Sequence, residues 1–275
     1  MSMTTPLPCR PVHIAPWAWL ALHAAALWPH GLWAVRRLAD GSDDPLGLAA
    51  VAALLLWLAR AAPTLRVQPQ TGWLGVAAAL TAAATAAAAL APPLPAAMLA
   101  VLALAAHATA WLPAGVARTP LAGLALLALP LIASLQFYVG YPLRVFTAEF
   151  SAWLLQAAGQ AAERSGAAMT VNGRLVIVDA PCSGVQMAWL AYFAACAVAA
   201  FVGLQERDFL RRLPLVGLVV LSGNVLRNSL LVGFEARPQG LSDAWHGAIG
   251  IVMLLVVIGL TVRLMSPQQQ RGAPT

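Results

Sequence analysis

The chain has 275 residues, 61% of them hydrophobic and 9% charged, with a mean hydropathy of +0.77. Soluble domains carry roughly 25% charged residues, so a water-soluble enzyme built on one large core is excluded and an all-α polytopic membrane protein is predicted. The formal net charge is +6, and all 16 basic residues are arginine, scattered without a dense run. That pattern suits membrane orientation, and no nucleic-acid partner is expected.

Eight apolar runs approach the roughly 20 residues that a bilayer core needs. They lie at about 15–35, 45–61, 72–91, 94–112, 119–138, 185–204, 213–233 and 245–265. Residues 16–35 read as a retained first span rather than a cleaved signal peptide. Pro92, Pro93 and Pro95 mark a tight turn between the third and fourth runs. The chain is read as one integral membrane domain, 1–275. Five spans occupy 1–138, an outer-face segment 139–184, three further spans 185–265, and a cytoplasmic tail 266–275.

With both termini cytoplasmic, the inner side collects nine arginines against two acids, Glu206 and Asp208. The outer side collects seven arginines against eight acids, among them Asp40, Asp43, Asp44, Glu149 and Asp179. The bias agrees with an eight-span topology whose ends both face inward.

The segment 139–184 has its own logic. Tyr141 to Ala162 is amphipathic, with Phe146, Phe150, Trp153 and Leu154 toward one side and Arg144, Glu149, Gln156 and Glu163 on the more polar one. It predicts an interfacial helix on the outer leaflet. Asn172-Gly173, set between β-prone residues, predicts a short β-hairpin over Met169 to Asp179. The hairpin leads into Asp179-Ala180-Pro181-Cys182-Ser183-Gly184. Proline suits the mouth of a helix, so Cys182 is expected at or near a helix N-terminus, where exposed N–H groups and the helix dipole favour a thiolate. Taken alone, Cys182 also fits an inert buried cysteine.

The other cysteines are Cys9, in the N-terminal tail, and Cys196, in mid-helix. No Cys-x-x-Cys pair or Cys/His spacing is present, so neither metal, cofactor nor disulfide framework is expected. Gly223-Asn224-Val225-Leu226-Arg227-Asn228 places an arginine and two asparagines inside an apolar run, a costly arrangement that marks function. Arg227 also lies close enough to the outer end to snorkel. Trp245-His246-Gly247 opens the last span. The remaining histidines, His13, His23, His30 and His107, show no comparable company and receive no role.

Counting spans brings Cys182, Arg227 and His246 to one membrane face on three consecutive helices. The trio suits acyl transfer. Cys182 attacks a carbonyl to form a thioester, His246 moves the proton, and Arg227 stabilises the oxyanion or binds a carboxylate. Asn224 or Asn228 orients these groups or donates to the oxyanion. Ser183 and Asp179 support the turn, and Asp179 can orient His246, pair with Arg174 or end the strand.

At these positions the chain resembles the exosortase/archaeosortase family. The match lies in Pro181-Cys182-Ser183-Gly184, in Asn224-x-x-Arg227 and in His246 at the start of the last span. It covers roughly residues 130–265, the first four spans matching in hydrophobic character alone. Ala/Arg richness without lysine points to a bacterial inner membrane, and the arginine count turns the site to the periplasm or outside. The resemblance implies a multi-pass membrane cysteine transpeptidase. Its implied partners are exported proteins whose C-terminal sorting tail joins a Pro-Glu-Pro-type motif, a transmembrane helix and a basic cluster. It also implies a surface lipid or polysaccharide acceptor. By position the resemblance carries the catalytic roles onto Cys182, Arg227 and His246. Two other readings remain open on the residues alone: a transporter using Arg227, and a non-enzymatic assembly factor for surface polymers.

Overall fold

The computed structural model describes residues 15–237 and 240–267. Pro29 splits the first apolar run. Helix α1 spans Pro16–Ala26 and α2 spans Trp28–Ala39, because a proline near the head of a helix cannot extend the preceding one. Next come α3 (Gly47–Ala61), α4 (Thr71–Leu90) and α5 (Pro93–Ala110). After α6 (Thr119–Leu127), α7 (Ile132–Leu135) runs through a π-helical turn, Gln136–Gly140, into α8 (Tyr141–Ala157). Strands β1 (Ala162–Ser165), β2 (Ala168–Val171) and β3 (Arg174–Ile177) follow, then a 3₁₀ turn, Ala180–Ser183. Helices α9 (Val185–Val202), α10 (Glu206–Glu235) and α11 (Asp243–Met265) complete the order.

Six helices among the described residues are long and apolar enough to cross a membrane: α3 with its 3₁₀ extension to Thr64, α4, α5, α9, α10 and α11. A seventh is counted if α6 and the helix 132–157, bent by 91° against each other, form one span. The chain is therefore a polytopic α-helical membrane protein with a small sheet. The stretch expected as the first span is instead two short helices, neither of span length.

The bend breaks the run 119–138 at Pro130, which lacks an N–H and disfavours helix in the residue before it. Asp43 caps the restart. Its Oδ1 accepts from the N–H of Ile132 at 3.0 Å and of Ala133 at 3.3 Å, and Arg37 Nη2 lies 3.5 Å from its Oδ2. The amphipathic helix α8 is thus continuous with the end of the preceding run rather than a separate element starting at Tyr141.

The described chain divides into two compact units, one from residues 15–31 and 64–113, the other from 32–63 and 114–267. In the first, α1, α4 and α5 pack through Leu27, Ala84, Ala100 and Ala103. Here two histidines have company after all. His23 Nδ1 lies 2.8 Å from His107 Nδ1, and His23 Nε2 lies 2.9 Å from Thr81 Oγ1. Because the Thr81 hydroxyl donates to the carbonyl of Ala77, it accepts from His23 Nε2–H. With both rings neutral, His107 Nδ1–H is then the donor to His23. His13 lies outside the described residues.

The second unit holds the candidate site. α9 is its axis, contacting α6, α3, α10 and α11 around Trp189, Ala195, Phe209, Val216 and Val257. α8 packs on α10 through Thr147, Ala148, Ser151 and Ala152, small residues that let helices approach closely, and through Leu155. The opposite side of α8 leaves Phe146, Phe150, Trp153 and Leu154 exposed, as an interfacial helix requires. Gly159, at φ +81°, ends α8, with Gln160 N–H donating to the Leu155 carbonyl.

The predicted hairpin is β2–β3, with Val171 opposite Arg174 across Asn172-Gly173. Both turn residues have positive φ, +52° and +80°, as a two-residue type I′ turn demands. β1 pairs antiparallel with β2 and extends the hairpin to three strands. The sheet buries Met169, Val171 and Val178 against α8 and the end of α10.

Candidate active site

The 3₁₀ turn is built from the strand side. The carbonyl of Asp179 accepts from Cys182 N–H at 2.9 Å. Pro181 stands in the first turn, where its missing N–H costs nothing. Gly184 then adopts φ +83° and opens α9. That conformation suits glycine, and so does the space: a Cβ there would lie 2.8 Å from Cγ of Asn224. Cys182 therefore precedes α9, in a separate four-residue turn. Ser183 is buried, accepts from Val185 N–H at 3.3 Å and donates to Gln136 Oε1 at 3.1 Å.

One face of α10 supplies the second wall. Asn224 is 2% exposed. Its Nδ2 donates to the carbonyl of Cys182 and to Thr147 Oγ1, each at 3.0 Å. Arg227 Nη1 donates to the carbonyl of Pro181 at 3.2 Å. Its Nε is buried without a partner among the described residues, and its guanidinium lies against Gly250 of α11, where a Cβ would come 3.4 Å from Nε. One turn on, Asn228 donates to Ser151 Oγ at 3.0 Å, and Ser151 donates to the carbonyl of Val225.

α9 begins, α10 ends and α11 begins at the same end of the bundle. Between them opens a cleft of about 270 Å³ whose rim carries Pro181, Gly184, Arg227 and His246. Met187, Leu190, Ile251 and Leu254 make its apolar wall. Gln186 at the rim donates to Asp44 Oδ2 at 2.7 Å. His246 is exposed in the first turns of α11. No hydrogen bond joins it to Cys182 among the described residues.

The structure thus brings Pro181 and Gly184, on either side of Cys182, together with Arg227 and His246 to one cleft, with Cys182 half-buried beside it and Asn224 buried behind the turn. The thiol side packs against the sheet cluster of Val178, Met169 and Ala148. Burial pushes the Cys182 thiol above its ordinary value. The Arg227 charge pulls it down, the Asp179 carboxylate pushes it up, and the backbone bond to Asp179 lowers it. The expected low-pKa thiolate is therefore overturned, because desolvation outweighs the nearby cation and Cys182 is not in the first turn of a long helix.

Other expectations are also resolved. Both N–H groups of Asn224 are committed, so it has no donor left for an oxyanion; its remaining atom, Oδ1, is a buried acceptor without a partner. Asn228 is tied to α8 and does not bond the turn. Arg174 donates to the carbonyl of Arg237, and Asp179 forms no ion pair among the described residues; its carbonyl ends the strand and holds Cys182. Cys196 packs against Gly123, where a Cβ would lie 2.6 Å from its sulfur.

Four further residues bond the turn, its anchors or the cleft rim without any expectation from sequence: Gln136, Thr147, Ser151 and Gln186. Thr147 and Ser151 lie one helical turn apart on α8, on the face away from its aromatic side, and that spacing is a signal. Gln136 is the lone amide in an otherwise apolar run, 119–138.

A family model described as transmembrane exosortase matches residues 39–263, most of the chain. No curated protein and no solved structure matches it.

Proposed function

The chain belongs to the transmembrane exosortase family, and from that premise we propose that it cleaves C-terminal sorting tails of exported proteins through a thioester on Cys182. A membrane-embedded sorting transpeptidase is the family's general role, and the chain is an integral membrane protein.

The observation that carries the reading is a double grip. Arg227 and Asn224, one turn apart on α10, hold the consecutive carbonyls of Pro181 and Cys182, and Arg227 shares its cleft with His246. A cysteine kept only for packing needs no such hold.

In the proposed reaction Cys182 stays a thiol at rest, since burial raises its pKa. His246 takes the Sγ proton as sulfur attacks the scissile carbonyl. The developing oxyanion meets the free donors of Arg227, whose buried Nε lacks a partner. The C–N bond breaks, and the leaving amine takes the proton from His246. An acceptor nucleophile on a surface lipid or polysaccharide then attacks the thioester carbonyl as His246 takes its proton, the C–S bond breaks, and His246 returns that proton to the sulfur to regenerate the thiol. The substrates are tails with a Pro-Glu-Pro-type motif, a transmembrane helix and a basic cluster. Arg207, Arg211, Arg212 and Arg263, at the ends of α10 and α11 remote from the cleft, support an inner-membrane topology with the cleft facing outward.

The test is co-expression with a tailed substrate. Cys182→Ala, Arg227→Ala and His246→Ala should each stop processing, and mass spectrometry of wild type should find an acyl group on Cys182. Full processing by all three variants would discard the reading.

A further inference from the structure

The turn bearing Cys182 is also gripped by a residue from the bent helix 132–157. Gln136 opens the π-helical turn. Its Nε2 donates to the carbonyl of Ala180 at 3.1 Å, and its Oε1 accepts from Ser183 Oγ at 3.1 Å. One amide therefore closes on the first and last residues of the Ala180–Ser183 turn. Together with Arg227 on the Pro181 carbonyl and Asn224 on the Cys182 carbonyl, every residue of the turn is anchored by a side chain from another element. The Cys182 side chain makes no hydrogen bond among the described residues and packs on the sheet cluster.

Gly140 makes the seat for this amide. Its backbone is ordinary helix, φ −61° and ψ −44°, so no torsional reason calls for glycine. The reason is space: a Cβ at 140 would lie 2.6 Å from Gln136 Oε1. Any side chain there would push the amide off Ser183. The flexible end of Gln136 would yield while the helix stays, so the glycine serves the clasp rather than the fold.

We propose that Gln136, seated on Gly140, is a positioning residue that fixes the turn carrying the Cys182 thiol beside the cleft. This rests on Cys182 being the nucleophile. The amide fits the task, because one acceptor and one donor must be met at opposite ends of the turn: an ionised carboxylate has no donor, and a hydroxyl has a single atom where the amide has two set apart. Holding the turn limits the directions in which the sulfur can move, and misplacement of a reacting atom by about 1 Å can cost about 10²-fold in rate.

The experiment uses the full chain in detergent, with Cys9→Ser as background, and two readouts. One is the rate of Cys182 alkylation by iodoacetamide, with Cys196 followed in the same sample. The other is processing of the tailed substrate. Gln136→Ala and Gly140→Ala should each lower processing about tenfold, as expected for losing one or two hydrogen bonds to the turn. Both should speed alkylation of Cys182 while Cys196 stays unlabelled, and Gln136→Glu should recover part of the processing through its retained acceptor. Unchanged alkylation in both variants overturns the clasp. Cys196 labelling alongside Cys182 overturns it in favour of a general loosening of the bundle. If Cys182→Ala itself still processes substrate, the nucleophile reading fails and takes the catalytic meaning of the clasp with it, whereas the alkylation arm still reports the clasp itself.

Discussion

Asn224 spends both its amide hydrogens on one junction, the Cys182 carbonyl and the Thr147 hydroxyl, each at 3.0 Å. It thereby ties α10, α8 and the thiol-bearing turn at a single buried point.

Removing that amide leaves the Cys182 carbonyl without its donor, and Asn224→Ala is expected to cost about 1–3 kcal/mol. Its melting temperature in detergent should fall, and processing should fall with it. Asn224→Asp replaces two donors by acceptors facing an acceptor, and should be at least as damaging as alanine. A stable, fully active Asn224→Asp protein would contradict the donor assignment.

The parts of this fold visible in the sequence are those written locally. Asn172-Gly173 fixes a two-residue turn by itself, and the exposed aromatic side of α8 follows from helical spacing. The span-forming runs of the C-terminal third need only hydropathy. What stayed hidden depends on partners far along the chain. Asp43 caps Ile132 from 89 residues away, so the bend after α6 looks like unbroken apolar sequence despite Pro130. His23 and His107 are 84 residues apart and look unaccompanied until helices α1 and α5 pack. The thiol was misjudged for the same reason: its turn is local, but the sheet that desolvates it is not.

The raised Cys182 pKa fixes a pH response. At neutral pH its thiolate fraction is below that of an ordinary cysteine, so alkylation should be slow and should rise to a midpoint above the usual thiol range. Arg227 lowers the pKa, so Arg227→Gln should move the midpoint further up. Asp179 raises it, so Asp179→Asn should move it down. Shifts in the opposite directions, measured by mass spectrometry across a pH series, would show that these charges do not act on the sulfur.

Gly184 meets two demands at once, a left-handed φ of +83° and contact with Asn224. Gly184→Ala faces about 1–3 kcal/mol of backbone strain and a Cβ 2.8 Å from Asn224 Cγ. Destabilisation and loss of processing should appear together, and repacking at Asn224 should leave Cys182 more readily alkylated. Gly203, also at positive φ but with open space around its Cβ position, is the control: Gly203→Ala should cost stability while leaving alkylation unchanged.

His246 should separate chemistry from architecture. It is exposed, and among the described residues no hydrogen bond joins it to Cys182, so removal of the ring is expected to leave the fold intact. His246→Gln should melt with wild type, and its resting Cys182 should alkylate with the same pH midpoint. Processing should nevertheless drop by about 10²-fold or more, the usual loss when a general acid–base group is removed. A shifted alkylation midpoint would mean that the ring already bonds the thiol at rest. Undiminished processing would mean that the proton leaves Cys182 by another route, and the cleft would then have to be assigned a different base.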